Sequence, residues 1–119
     1  MLRRDFTIIK KILLEIDIGM DMMGTETLDN YLIDEKLKRA ISMTVLNIGE
    51  LVKNITEETR KEYPQIPWKA IAGMRDITAH KYQTLRMEDV YYTVQKDFPL
   101  LKEKLNGILA DNDVFENGE

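Results

Sequence analysis

Between Leu2 and about Met20 the apolar residues Leu2, Phe6, Ile9, Leu13, Ile16 and Met20 recur at helical spacing, so the chain opens with a helix that lays one stripe on a core. Ile8, Leu14 and Ile18 fall off that stripe, which places the helix deep in the core or leaves a second apolar face for a partner. Gly24 and Thr25 end it, and Thr27 or Asp29 is placed to cap the next helix. That second helix is predicted from about Leu28 to Thr59. At about 100° per residue, Leu37, Ala40, Ile41, Thr44, Val45, Ile48, Leu51, Val52 and Ile55 share an arc of roughly 140°. Lys38, Arg39, Glu50 and Lys53 take the opposite side, with Leu46 among them as a candidate contact for a second chain.

Pro64 and Pro67 bracket a short connection, and proline suits a first helical turn, so a third helix begins near Pro67 and carries Trp68 to about Ala79. A fourth runs from Met87 to Leu109 with Met87, Val90, Tyr91, Val94, Phe98, Leu101, Leu105 and Ile108 on one face. Pro99 is expected to kink it. Residues 111–119 lack sustained periodicity and read as a flexible polar tail. The pattern contains no internal repeat and no strand alternation. It predicts a single all-α domain over residues 1–110, an antiparallel four- to five-helix bundle.

Composition narrows the chemistry. The 119 residues are 44% hydrophobic and 32% charged, the profile of a folded, water-soluble domain. Seventeen basic against 21 acidic side chains give a formal charge of −4, which disfavours strong non-specific attraction to nucleic acid and leaves room only for a local basic patch. The absence of cysteine removes disulfides, thiolate nucleophiles and cysteine zinc sites, and a single histidine removes a His-rich metal centre. Arg3-Arg4 superficially resembles a twin-arginine signal, but Lys10, Lys11, Glu15 and Asp17 interrupt the run that should be apolar. With no long uncharged apolar segment, no membrane span and a cytoplasmic location are expected. The acids Asp17, Asp21, Glu26, Asp29, Asp34 and Glu35 match no calcium loop, and Met20, Met22 and Met23 suit packing better than ligation. Neither a dedicated metal site nor a cofactor is expected.

Candidate chemistry concentrates in Gly73-Met-Arg-Asp-Ile-Thr-Ala-His-Lys-Tyr82, which holds an arginine, the only histidine and a tyrosine. A purely structural reading assigns Arg75 to a surface ion pair, His80 to a helix C-terminus and Tyr82 to packing. On one continuous helix, Arg75 and His80 would point about 140° apart, whereas Asp76 and His80 would be neighbours four residues apart. The Asp76 carboxylate would then orient the imidazole and favour its protonated form. Arg75 would share the apolar stripe of Trp68, Ile71, Ala72 and Ala79, so its guanidinium has to reach a pocket or a partner. Two arrangements bring Arg75 and His80 together: the helix ends near His80 and the chain turns, or a second copy supplies the complementary group. Gly73 would admit a close backbone.

The Arg75-Asp76-x-x-x-His80-x-Tyr82 arrangement resembles the R-x4-H-x-Y motif of HepT-like toxins in the HEPN superfamily. Ile48-Gly49-Glu50, Ile66-Pro67-Trp68, Gly73-Met74-Arg75 and Phe98-Pro99-Leu100 are similar to that family as well, so the resemblance runs from about Leu2 to Leu109. Asp76 stands where the family commonly has asparagine and adds a negative charge near a phosphate site. The resemblance implies metal-independent RNA cleavage at a homodimer interface. It also implies a partner nucleotidyltransferase antitoxin of the MNT type, which adds AMP to the motif tyrosine, here Tyr82. Metal-free cleavage needs a group that moves the 2'-hydroxyl proton and a cation that stabilises charge on the phosphate. His80 suits the first task and Arg75 the second, with Asp76 orienting His80 and Lys69, Lys81 and Arg86 holding flanking phosphates. The expected products carry a 2',3'-cyclic phosphate and a 5'-hydroxyl. The alternative is a non-catalytic helical module that binds a nucleotidyltransferase or a nucleotide.

Overall fold

Two long helices set the frame, and a third, interrupted rod completes it. Helix α1 (Arg3–Met23) buries Ile9, Ile12 and Ile16 completely, against Ile41, Val45, Ile48 and Val52 of α3 (Glu35–Lys53). Each such isoleucine contributes about 1.5–3 kcal/mol by leaving water. The two run antiparallel: the Arg4 guanidinium donates to the Asn54 carbonyl at 2.9 Å, and the Asn47 amide donates to Glu15 at 3.3 Å. The structure, a computed structural model, describes residues 1–77 and 79–116, without the side chains of Ala79 and His80.

The expected all-α bundle is what the chain forms, but the long second helix divides into three pieces. Helix α2 (Leu28–Ile33) starts on Thr27, whose hydroxyl accepts from the Asn30 amide at 3.2 Å. Asp34 leaves helical geometry and uses its carboxylate to accept from the Leu37 amide at 3.0 Å, which starts α3 afresh. Thr56 in turn caps α4 (Glu57–Glu62). Asp5, fully buried in the first turn of α1, accepts from the Thr56 amide and from both the Thr56 and Thr59 hydroxyls, at 3.2, 2.5 and 2.6 Å. A local cap is a stronger boundary signal than a continuing apolar arc, which is why one predicted helix became three. Gly24, at φ 52°, lies in the left-handed region and closes α1 by donating to the Met20 carbonyl at 2.9 Å.

After α5 (Trp68–Ala72) come a 3-10 turn (Gly73–Asp76), the short α6 (Ala79–Tyr82) and α7 (Met87–Tyr92). A π-helical turn (Thr93–Asp97) joins α7 to α8 (Phe98–Asp111). The proline expected to bend the fourth helix sits in the first turn of α8, directly after the widened turn. There the missing amide and the ring meet a ladder that is already relaxed. Helix α8 lies antiparallel to α1, with Lys102 bound to Asp17 at 2.8 Å and Lys10 to Glu116 at 2.9 Å. The segment read as a flexible tail is, up to Glu116, anchored. A 3-10 turn (Asp113–Phe115) places the Phe115 ring 5.4 Å from that of Phe6, with Arg3 over its face. Among the described residues no helix is long and apolar enough to cross a membrane. Leu14 and Ile18 of α1 and Met43 of α3 remain exposed, so α1 does show a second apolar face.

Candidate functional site

The Arg75 segment is mounted on α3. The 3-10 turn has three residues per turn, so Met74 and Ile77 eclipse one another and both pack against the core, while Arg75 and Asp76 face outward and are exposed. Ile77 then takes an extended conformation (φ −69°, ψ 111°), its amide donating to the Met74 carbonyl at 3.3 Å. What holds this turn is a glycine on the other element. A Cβ on the buried Gly49 would lie 2.9 Å from the Met74 carbonyl carbon and 3.1 Å from the Arg75 Cα, with the Arg75 amide nitrogen closer still. The Arg75 backbone therefore seats directly on the α3 backbone.

This geometry corrects the readings that assumed one helix from Trp68 to Ala79. The helix ends before Ile77, so the helical four-residue spacing between Asp76 and His80 does not hold. Arg75 is in solvent rather than on the apolar stripe of Trp68 and Ile71. A Cβ added at Gly73 would meet nothing within 4 Å, and the close backbone approach belongs to Gly49 instead. The helical run that carries Arg75 ends at Ile77 rather than near His80. The His80 side chain lies outside the described residues, as does Thr78.

Asp76, Lys81 and Arg86 line one cleft of about 460 Å³, together with Met74, Ile77 and Asp89. Arg86 is committed there to carboxylates: its guanidinium binds Glu88 at 2.5 Å and lies 3.9 Å from Asp89, and the Glu88 bond raises its affinity for its proton further. Lys69 is not part of this group. It lines a separate cleft beside Trp68, with Glu57 and Arg60. Three of the four residues considered for phosphate contact or histidine orientation thus converge, and the fourth faces elsewhere.

Tyr82 belongs to a second cleft, of about 380 Å³, whose walls include Met43, Leu46, Ile77 and Arg39. Its phenol donates to Glu35 Oε2 at 2.9 Å, and the Arg39 guanidinium lies 4.7 Å from the ring centre. Glu35 also binds Arg39 Nε at 2.8 Å and Lys38 at 3.3 Å. Burial first, and then the Glu35 hydrogen bond, raise the Tyr82 phenol above its ordinary value of 10.0. The Tyr82 hydrogen bond, then Lys38, hold the Glu35 carboxyl below its ordinary range. In the sequence, Glu35 reads as one of several solvated acids, and Lys38 and Arg39 as the far side of a helix. The signal that could have found them was the Glu-x-x-Lys-Arg spacing, which stacks both cations over one carboxylate. Among the described residues no cluster of three or more histidine, cysteine, aspartate or glutamate side chains has metal-holding geometry.

A family model described as HepT-like, ribonuclease HepT-like, matches residues 9–108 of the chain. A Methanocaldococcus jannaschii protein named "Gamma-glutamylcyclotransferase and putative RNase" is 33% identical over 119 residues, 99% of this chain and 54% of that protein. The chain therefore spans about half the length of that relative. A Caldanaerobacter subterraneus subsp. tengcongensis protein named "Putative RNase" is 32% identical over 101 residues, 85% of this chain and 90% of its own length. A Thermococcus cleftensis "Probable ribonuclease HepT" is 36% identical over 76 residues, 64% of this chain and 69% of that protein. No solved structure gives a significant match.

Proposed function

The chain belongs to the HepT-like ribonuclease family, and on that premise we propose that it is the toxin of a HEPN/MNT pair, an endoribonuclease that cleaves RNA without a metal ion. Its site is completed by a second copy of the chain, and a nucleotidyltransferase of the MNT type silences it by adding AMP to Tyr82. The observation that carries this reading is the mounting of Arg75: its backbone is pressed onto Gly49, yet its side chain is exposed. A cation fixed at its base and open at its head is suited to meet a phosphate rather than to fill a core.

In the reaction, His80 takes the proton of the RNA 2'-hydroxyl as that oxygen attacks the adjacent phosphorus. The bond to the 5'-oxygen breaks, a proton is returned to that oxygen, and a 2',3'-cyclic phosphate and a 5'-hydroxyl remain. Arg75 neutralises the charge that builds on the phosphate oxygens. Asp76 and Lys81 share the adjoining cleft, where Lys81 brings positive charge toward a flanking phosphate. Lys69 holds a phosphate only if the RNA extends past Trp68. The exposed Leu14, Ile18 and Met43 supply apolar surface for the second copy. With RNA as substrate, the working protein is cytoplasmic.

Inducing the chain alone and following growth and RNA integrity tests this reading. Wild type arrests growth and fragments RNA, while Arg75→Ala and His80→Ala do neither. Intact RNA with wild type would instead favour a non-catalytic module that binds a nucleotidyltransferase or a nucleotide. Co-expression with an MNT-type nucleotidyltransferase adds AMP mass increments that disappear in Tyr82→Phe. Full neutralisation of an unmodified chain would contradict the modification.

A further inference from the structure

The Glu35–Arg39 pair beside Tyr82 adds little to the fold: the two side chains are 56% and 62% exposed, and exposed pairs of this kind contribute only about 0–1 kcal/mol. Their arrangement is nonetheless specific. One oxygen of Glu35 takes both the Tyr82 hydroxyl and Arg39 Nε, the other faces Lys38, and Arg39 covers the phenol ring. A phenol in direct contact with a carboxylate, with two cations alongside and an open cleft beside it, is equipped to attack an electrophile carrying negative charge.

We propose that Tyr82 is an activated nucleophile for group transfer from a nucleoside triphosphate, with Glu35 as the acceptor of its proton and Arg39 and Lys38 as the cations that meet the phosphates. This rests on the reading of Tyr82 as the modified residue and adds the chain's own contribution to that step. The phenol oxygen attacks the α-phosphorus and an oxygen–phosphorus bond forms. The bond to the β-phosphate oxygen breaks, pyrophosphate leaves with the electron pair, and the phenol proton passes to Glu35 and on to water. Because burial and the Glu35 contact hold the phenol above its ordinary value, free phenolate is scarcer than at an open tyrosine, and attack depends on proton removal within the step. The ester has no proton left to donate to Glu35, and its new anionic phosphate lies beside Arg39. The modification thus exchanges one anionic partner of Arg39 for another, at the entrance to the Tyr82 cleft. Tyr31, buried behind Tyr82, is neutral and offers no competing charge at neutral pH.

The chemistry can be read without a partner enzyme, using the full-length chain and 5'-(4-fluorosulfonylbenzoyl)adenosine. This reagent forms an oxygen–sulfur bond with tyrosine as fluoride leaves, and it too requires loss of the phenol proton. Tyr92 is the internal reference: it is 44% exposed and sits under Lys96 at 5.2 Å rather than against a carboxylate. Peptide mapping over time should show Tyr82 labelled faster than Tyr92. Glu35→Gln, which keeps a hydrogen-bond acceptor of the same shape but cannot take the proton, should slow Tyr82 by at least about tenfold and leave Tyr92 unchanged. Accessibility and phenol acidity alone predict the reverse order of the two tyrosines. Labelling of Tyr82 no faster than Tyr92, or equal labelling of Tyr82 in Glu35→Gln with an unchanged circular dichroism spectrum, would overturn the proposal. RNA cleavage by the same preparations separates this outcome from a failure of the ribonuclease reading.

Discussion

Replacing Gly49 with alanine tests whether the α3 backbone is what holds Arg75 in place. The added methyl would lie 2.9 Å from the Met74 carbonyl carbon and 3.1 Å from the Arg75 Cα, and both are backbone atoms that cannot rotate away. Ordinary contacts are about 3.5–4.0 Å, and the Arg75 amide nitrogen lies closer than either carbon, so the 3-10 turn has to retreat by about 1 Å. Overpacking of this kind costs about 1–3 kcal/mol, and alanine in mid-helix returns about 0.5–1 kcal/mol. The net loss of about 1–2 kcal/mol lowers Tm by roughly 5 °C. Activity falls much further, because a displacement near 1 Å at a reacting group costs about 10²-fold. Gly107→Ala on α8 is the matched control: nothing lies within 4 Å of its Cβ, so the same substitution stabilises slightly and leaves cleavage untouched. Thermal melts and initial cleavage rates on a fluorescent RNA measure both quantities. A Gly49→Ala protein with wild-type cleavage and an unchanged Tm would refute the reasoning.

Arg75→Lys keeps the charge but loses the planar fork, and cleavage is expected to fall toward the Arg75→Ala level while the melt is unchanged, since the side chain is exposed. Asp5→Ala strands the Thr56 amide and the buried Thr59 hydroxyl, and urea titration should show a loss of about 3 kcal/mol. Burial, and then proximity to Tyr82, hold the Tyr31 phenol well above its ordinary value of 10.0. The folded chain therefore keeps a proton that the unfolded chain gives up. The stability from this group is fully present below pH 10 and is lost as pH rises toward the folded value. Urea midpoints from pH 8 to 11 should fall more steeply for wild type than for Tyr31→Phe. At pH 7 the two should be close, because among the described residues the hydroxyl's partner is the Met87 sulfur at 3.8 Å. Parallel pH curves would exclude the effect.

The bundle was legible because α1 and α3 each carry an apolar stripe at helical spacing over many turns, a signal that survives errors at the ends. The breaks at Asp34 and Thr56 were present in the sequence as capping residues, but the continuing apolar arc masked them. The break at Ile77 was of another kind. Neither glycine nor proline marks it, and it arises because Met74 and Ile77 both turn to the core while α3 offers Gly49 as a seat. That is tertiary information, and angles taken from a continuous helix through Arg75 carried the error with them. The motif residues themselves could be read from their chemistry and from the family they resemble. The pairing of Glu35 with Lys38 and Arg39 was readable from their spacing, but its meeting with Tyr82 was not, because spacing along α3 does not tell where α6 will land.

The central claim is metal-free RNA cleavage by Arg75 and His80, and the most direct measurement is on the purified chain in excess EDTA with an end-labelled RNA. Cleavage that persists in EDTA, leaves 2',3'-cyclic phosphate and 5'-hydroxyl ends, and disappears in both Arg75→Ala and His80→Ala is the predicted result. Cleavage that vanishes with EDTA and returns with a divalent ion, or that survives either alanine substitution in a folded protein, would contradict the account.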